Sequence, residues 1–122
     1  MDDRAANAAA LRTFVRVFDA GEFFASHEVL EARWLLTRDP FQRGLIILAS
    51  AFVHRDRGNL KGCTRQLKKA RRYLPAYLPC HQGLDVRGLI AHLDGCLAGL
   101  AKDPGSGNSR PVAPVLGNLL EA

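Results

Sequence analysis

The sequence lacks any apolar run long enough to cross a bilayer, which takes about 20 residues. Its longest apolar stretch, Leu45–Val53, is bounded by Arg43 on one side and by Arg55 and Asp56 on the other. The N-terminal residues 1–4 do not open a secretory signal peptide, because they lack its apolar segment. We therefore expect a cytoplasmic protein with no membrane association.

The sequence has few cysteines, and the three present, Cys63, Cys80 and Cys96, are widely spaced. An odd number at this spacing fits neither a disulfide framework nor a zinc knuckle, so we expect reduced thiols. A Gly-rich phosphate loop, a nucleophile elbow and the spacing of a Cys–His dyad are also missing. We interpret His81, which follows Cys80, as incidental.

The composition is that of one ordinary globular domain. The 122 residues are 48% hydrophobic and 24% charged, which excludes the charge-rich, apolar-poor composition of disorder. The net charge of +5 permits an acidic partner, although the placement of the charges matters more than their sum.

Apolar residues recur at helical spacing along most of the chain, which predicts an all-α fold. The predicted helices cover about Arg4–Ala20, Phe23–Thr37, a third starting at Asp39-Pro40, Leu60–Leu74 and a fifth from the cap Asp85 to Ala101. The third is apolar nearly all round and should be central. Gly58-Asn59 predicts a tight hairpin between the third and fourth helices. We expect a compact antiparallel bundle of about five helices with a docked C-terminal tail.

Two parts of different character follow from this pattern. Residues 1–101 form the predicted bundle domain, and residues 102–122 form a flexible connector and a docking tail. The connector, Lys102–Pro111, consists mostly of glycine, serine, asparagine and proline. The tail should pack on the bundle because its apolar residues return at helical spacing.

The second helix carries a histidine and a carboxylate in an apolar setting. At roughly 100° per residue, His27 and Glu31 fall side by side on the helix surface, where they can hydrogen-bond or share a cation. The flanking apolar residues are Phe23, Leu30 and Trp34 on one side and Phe24 and Leu35 on the other. Exposing the pair would expose these side chains, so we predict that His27 and Glu31 are buried and paired.

Further polar residues could complete a cluster around this pair. The third helix places Arg43, Ser50 and His54 on one stripe, and Glu28 borders the apolar arc of the second helix. The predicted polar cluster is His27, Glu28, Glu31, Arg43 and His54. If it holds a divalent metal, the candidate ligands are His27, Glu31 and His54, and the candidate catalytic residues are His27, Glu28 and Glu31.

The fourth helix carries six basic residues with no acid between them. These candidate anion-binding residues are Lys61, Arg65, Lys68, Lys69, Arg71 and Arg72. A clustered basic face attracts phosphates by counterion release, but no aromatic side chain is interleaved before Tyr73 for base stacking. Binding of an anion or a nucleic acid is therefore one alternative, and a solvated surface is the other.

Three glycines in the fifth helix fall within a narrow arc. Gly88, Gly95 and Gly99 each cost helix stability, about 1 kcal/mol relative to alanine, so a close approach by another element is expected there. We therefore predict self-association through the fifth helix or the C-terminal tail, which would give a dimer. The alternative is that another helix of the same chain makes the close approach.

Several motifs resemble a family of small prokaryotic proteins known as domain of unknown function 309. The similar segments are Ala20-Gly21-Glu22-Phe23-Phe24, His27-Glu28-Val29-Leu30-Glu31, Trp34, Gly44-Leu45-Ile46, His54, Arg57-Gly58-Asn59-Leu60 and Gly83-Leu84-Asp85-Val86. The resemblance extends from about Phe14 to Leu100. It implies an all-α bundle without an established activity, a family sometimes labelled a predicted metal-dependent hydrolase. The family often has glutamine at the positions of Arg43 and Ile47, where this chain departs from it.

Together these patterns favour a self-associating, non-enzymatic helical module built around a buried His–Glu motif. A metal-dependent hydrolase that uses this motif and an anion or nucleic-acid binder that uses the fourth helix are the alternatives.

Overall fold

The computed structural model describes residues 2–102 and 110–121. The helices are α1 (Asp3–Asp19), α2 (Phe23–Thr37), α3 (Pro40–Asp56), α4 (Leu60–Tyr73) and α5 (Val86–Lys102). The predicted all-α fold is confirmed, and each helix lies within about two residues of its predicted bounds. No helix of the described residues has the length and apolarity that a membrane span requires.

Local capping explains where the helices begin. The Asp39 side chain accepts a hydrogen bond from Phe41 N at 2.9 Å, and Pro40 occupies the first position of α3. Asn59 Oδ1 accepts from Gly62 N, also at 2.9 Å, at the start of α4. Gly58 precedes this cap with a positive φ of 76°, a conformation that suits glycine, so the predicted α3–α4 hairpin is confirmed.

The helix α3 is central, as its composition predicts. It packs against α2 on one side and α4 on the other, while α1 packs on α2 and α5 on α4. The short connections from α1 to α4 make these sequential neighbours antiparallel. Rings from three helices meet in the core, where the Phe18 ring centroid lies 4.9 Å from that of Phe23 and 5.9 Å from that of Phe52.

A short irregular region joins α4 to α5. It contains a 3-10 turn, Leu74–Tyr77, and the antiparallel strands β1 (Cys80–His81) and β2 (Leu84–Asp85). Leu84 is fully buried and forms an isolated β-bridge with Leu120, so this hairpin receives the end of the chain.

The C-terminal segment docks on the bundle, as expected. Leu116 is fully buried, and the backbone N–H groups of Leu116 and Gly117 each donate a hydrogen bond of 2.8 Å to the Asp19 carboxylate. Within the described residues 110–121, the segment forms a short 3-10 turn, Leu116–Asn118, where the spacing suggests a helix. Most of the predicted flexible connector, residues 103–109, lies outside the described residues.

Candidate functional site

The helix α2 turns one side to the bundle and leaves another uncovered. Its buried residues are Phe23, Ser26 and Leu30. Ser26 can be buried because its hydroxyl donates to Phe23 O at 2.7 Å, which satisfies the polar group inside the bundle. This inward direction sets which side chains of α2 remain accessible.

Four side chains form a row along the uncovered side of α2. In chain order the row consists of Phe24, His27, Glu31 and Leu35, within an arc of roughly 80° at 100° per residue. Phe24 is 57% exposed and Leu35 is 53% exposed, two of the large apolar side chains that remain accessible. We call these four residues the α2 row.

The prediction that His27 and Glu31 are buried is wrong. The side chains are 26% and 41% exposed, respectively. The prediction assumed that the apolar residues beside the pair all enter the core, whereas α1 and α3 cover only the flank of α2 that contains Leu30. Phe24 and Leu35, on the other flank, stay accessible together with the pair.

The pair itself forms a loose contact. His27 Nε2 lies 3.8 Å from Glu31 Oε2, longer than a hydrogen bond. The His27 ring stacks on Phe24, with ring centroids 6.3 Å apart and planes inclined by 7°. His27 Nδ1 is buried without a hydrogen-bond partner among the described residues. The row therefore contains polar groups whose bonding capacity is only partly used.

The other members of the predicted polar cluster have separate contacts. The Arg43 guanidinium lies over the Trp34 ring, 5.1 Å from its centroid, and forms no ion pair with Glu31 among the described residues. His54 Nδ1 lies 3.1 Å from Asn59 Nδ2 at the α3–α4 hairpin. Glu28 is exposed.

A different polar network joins the first three helices, and the sequence reasoning missed it. Asn7 Oδ1 accepts from Arg33 Nε at 2.7 Å and from Gln42 Nε2 at 3.1 Å. Thr37 Oγ1 donates to Gln42 Oε1 at 2.6 Å. Gln42 is only 2% exposed, and a polar residue in the first turn of the apolar third helix was the signal that could have revealed it.

The donor geometry of the described residues does not fit the hypothesis of a metal-dependent hydrolase. No group of three or more His, Cys, Asp or Glu side chains is arranged there to hold a metal ion. His27 and Glu31 supply two donors, and His54 does not join them.

The titratable groups with shifted pKa values do not supply a nucleophile at neutral pH. Burial raises the pKa of the Cys63 thiol to about 11, with a smaller contribution from Cys96. Burial also raises the pKa of Cys96, and it raises that of Tyr77 with help from the Asp39 charge. These two thiols therefore stay protonated.

The six basic residues of α4 have three kinds of surroundings, and Lys69 and Arg72 are simply exposed. Arg71 Nε donates to Asp94 Oδ1 at 2.9 Å, so its charge is paired. Lys61, Arg65 and Lys68 line a groove between α4 and the end of α5. Tyr73 packs against Gly44 and is partly buried.

The α5 glycines also differ from one another. A Cβ at Gly88 would lie 2.9 Å from Leu119 Cδ2 and against the Asp85 carboxylate, so the docked tail of the same chain makes the close approach. Gly95 and Gly99 have no neighbouring atom within 4 Å of an added Cβ among the described residues.

The comparisons with known proteins give one result. The family described as Domain of unknown function (DUF309) matches residues 11–66, a stretch that contains α2, α3 and the whole α2 row. The resembling segment Gly83–Val86 lies outside this match. No curated protein and no solved structure matches the chain. The chain therefore matches the DUF309 family, a domain of unknown function, over residues 11–66, as its motifs predicted.

Proposed function

We propose that this chain is a non-enzymatic helical module that self-associates through the α2 row. The sequence pattern suggests self-association through the fifth helix or the tail. The contact of Gly88 with Leu119 gives that glycine an intramolecular explanation. The α2 row instead combines the exposed apolar side chains of Phe24 and Leu35 with the partly exposed side chains of His27 and Glu31.

One observation carries the proposal, namely the order of side chains in the row. Read along the chain, the order is apolar, basic, acidic, apolar. A two-fold axis that passes the row at the height of Val29 would set two copies of α2 antiparallel. Phe24 would then lie beside Leu35 of the second copy, and His27 beside Glu31 of the second copy. Two-fold contacts require such self-complementarity, because one surface must fit itself.

The size of the surface sets the expected strength. A contact between two single helix faces buries less than a standard protein interface of about 1,600 Å², so we expect a weak, reversible dimer. Phe24 and Leu35, at the ends of the row, provide most of the free energy of association. The His27–Glu31 contacts between the two copies fix the antiparallel register.

Sedimentation equilibrium over micromolar to submillimolar concentrations tests the proposal. The parent chain should give a dimer mass at the upper end of this range, and Phe24→Glu should give a monomer mass throughout. Val112→Glu is the matched control, because Val112 is an apolar side chain 71% exposed on the C-terminal segment. A monomeric parent chain, or a Val112→Glu variant that dissociates as Phe24→Glu does, would contradict the proposal.

A charge exchange tests the register. His27→Glu should weaken the dimer at least tenfold, because two like charges then face each other. The double variant His27→Glu/Glu31→Lys should restore the dimer, since it reverses the order of charges but keeps the row self-complementary. Helical circular dichroism should be the same for all variants. A double variant as weak as the single one would exclude the antiparallel register.

A further inference from the structure

A groove on the opposite part of the bundle has the lining of a ligand site. It lies between the first half of α4 and the end of α5 and has a volume of about 820 Å³. This volume falls within the range of roughly 300–1,000 Å³ that is usual for small-molecule sites.

The groove has an apolar floor. Leu60, Leu97, Leu100 and Ala101 contribute to its lining, and Leu100 is only 4% exposed while Leu97 is half-buried. The neighbouring segment, residues 103–109, has the sequence DPGSGNS and contains no long aliphatic side chain of its own for this floor. An aliphatic chain from another molecule would gain free energy by leaving water here.

The rim of the groove is basic. Lys61, Arg65 and Lys68 are spaced by four and three residues, which places them on one face of α4, and all three are exposed. No acidic side chain is among the described residues that line the groove, and none of these three cations forms an ion pair with a described residue. The N-terminus of α4 adds partial positive charge at the same end.

We propose that this groove binds a single-chain anionic amphiphile, whose aliphatic chain lies on the leucine floor and whose head group meets Lys61, Arg65 and Lys68. The shared chemistry is one anionic head on one aliphatic chain. A fatty carboxylate and an alkyl phosphate are two sources of this chemistry.

Titration calorimetry with decanoate and decyl phosphate below their micellar concentrations tests the site. Both should bind, and the tighter one identifies the source of the head group. Decyltrimethylammonium, which has the same chain and the opposite charge, should bind at least tenfold more weakly. Affinity should fall several-fold from decanoate to octanoate, because the shorter chain buries less apolar surface.

Two variants and one control locate the binding. Arg65→Glu should reduce the affinity at least tenfold, and Leu97→Gln should reduce the dependence on chain length. Lys69→Glu is the matched control, because it makes the same charge change on the same helix outside the groove lining. The loss of affinity should be clearly smaller than that of Arg65→Glu, because Lys69 does not line the groove although it lies one helical turn from Arg65.

Several outcomes would overturn the proposal. These are no binding of either anion, equal binding of the cationic analogue, and equal losses for Arg65→Glu and Lys69→Glu in folded variants. Binding to phosphatidylglycerol vesicles without binding of monomeric decanoate or decyl phosphate would identify a membrane-surface contact instead.

Discussion

At the scale of single residues, two glycines of α5, Gly88 and Gly95, have opposite effects on stability. Gly88 N donates to Asp85 Oδ1 at 2.9 Å in the helix cap, and the Leu119 side chain lies over it. Gly95 is exposed and has open space where a Cβ would be. The surroundings, and not the helix propensity, decide whether glycine is required.

We predict that Gly88→Ala destabilises the fold and that Gly95→Ala stabilises it. The added methyl at residue 88 must displace the cap or Leu119, with a net cost of about 1 to 2 kcal/mol. The methyl at residue 95 only improves helix propensity, by up to about 1 kcal/mol. Urea denaturation measures both. Equal changes for the two variants would show that the tail does not pack closely on Gly88.

At the scale of elements, α1 and the C-terminal segment stabilise each other through Asp19. A carboxylate in the last turn of a helix is unfavourable against the helix dipole. Here the carboxylate accepts two backbone hydrogen bonds from Leu116 and Gly117, which offset that cost and orient the buried Leu116 side chain. The end of the chain is thereby part of the bundle.

We predict that Asp19→Ala lowers the free energy of unfolding by about 1 to 2 kcal/mol, because two backbone donors lose a charged acceptor. Hydrogen exchange of the Leu116 and Gly117 amides should accelerate. Asp94→Ala is the control, since it also removes one carboxylate but breaks only the exposed pair with Arg71, worth about 0.5 kcal/mol or less. Unchanged exchange at the two amides in Asp19→Ala would contradict the assigned role.

At the scale of the whole molecule, the core of the bundle is well packed, whereas two apolar areas of its surface stay uncovered. The first three helices are joined inside by aromatic packing and by the Asn7, Arg33 and Gln42 network. The α2 row and the α4–α5 groove are separate surfaces, so self-association and ligand binding can be tested independently.

We predict that the thermal unfolding midpoint of the parent chain rises with protein concentration. Dimer formation stabilises the folded state by mass action, because the row is assembled only in folded copies. The midpoint of Phe24→Glu should not depend on concentration. Differential scanning calorimetry over a wide concentration range makes the comparison, and a midpoint of the parent chain that stays constant would argue against the dimer.

The sequence predicted the helices well because helix formation is read from nearby residues. Caps such as Asp39 and Asn59, the glycine after α3 and the apolar periodicity act within one or two turns. The continuous apolar character of α3 also placed it at the centre correctly.

The candidate site could not be predicted in the same way, because it depends on the rotation of α2 about its own axis. Apolar residues lie on both flanks of α2, so the sequence predicted that both flanks face inward with His27 and Glu31 between them. Tertiary contacts decided the rotation instead, among them the hydrogen bond that Arg33 donates to Asn7 of α1. The buried Ser26 hydroxyl is satisfied locally, by Phe23 O. The sequence by itself determined the helices and their order. The packing of α1 and α3 on one flank of α2 decided that His27 and Glu31 remain at the surface. Burial could not be predicted locally, because it depends on which other elements pack against a helix face.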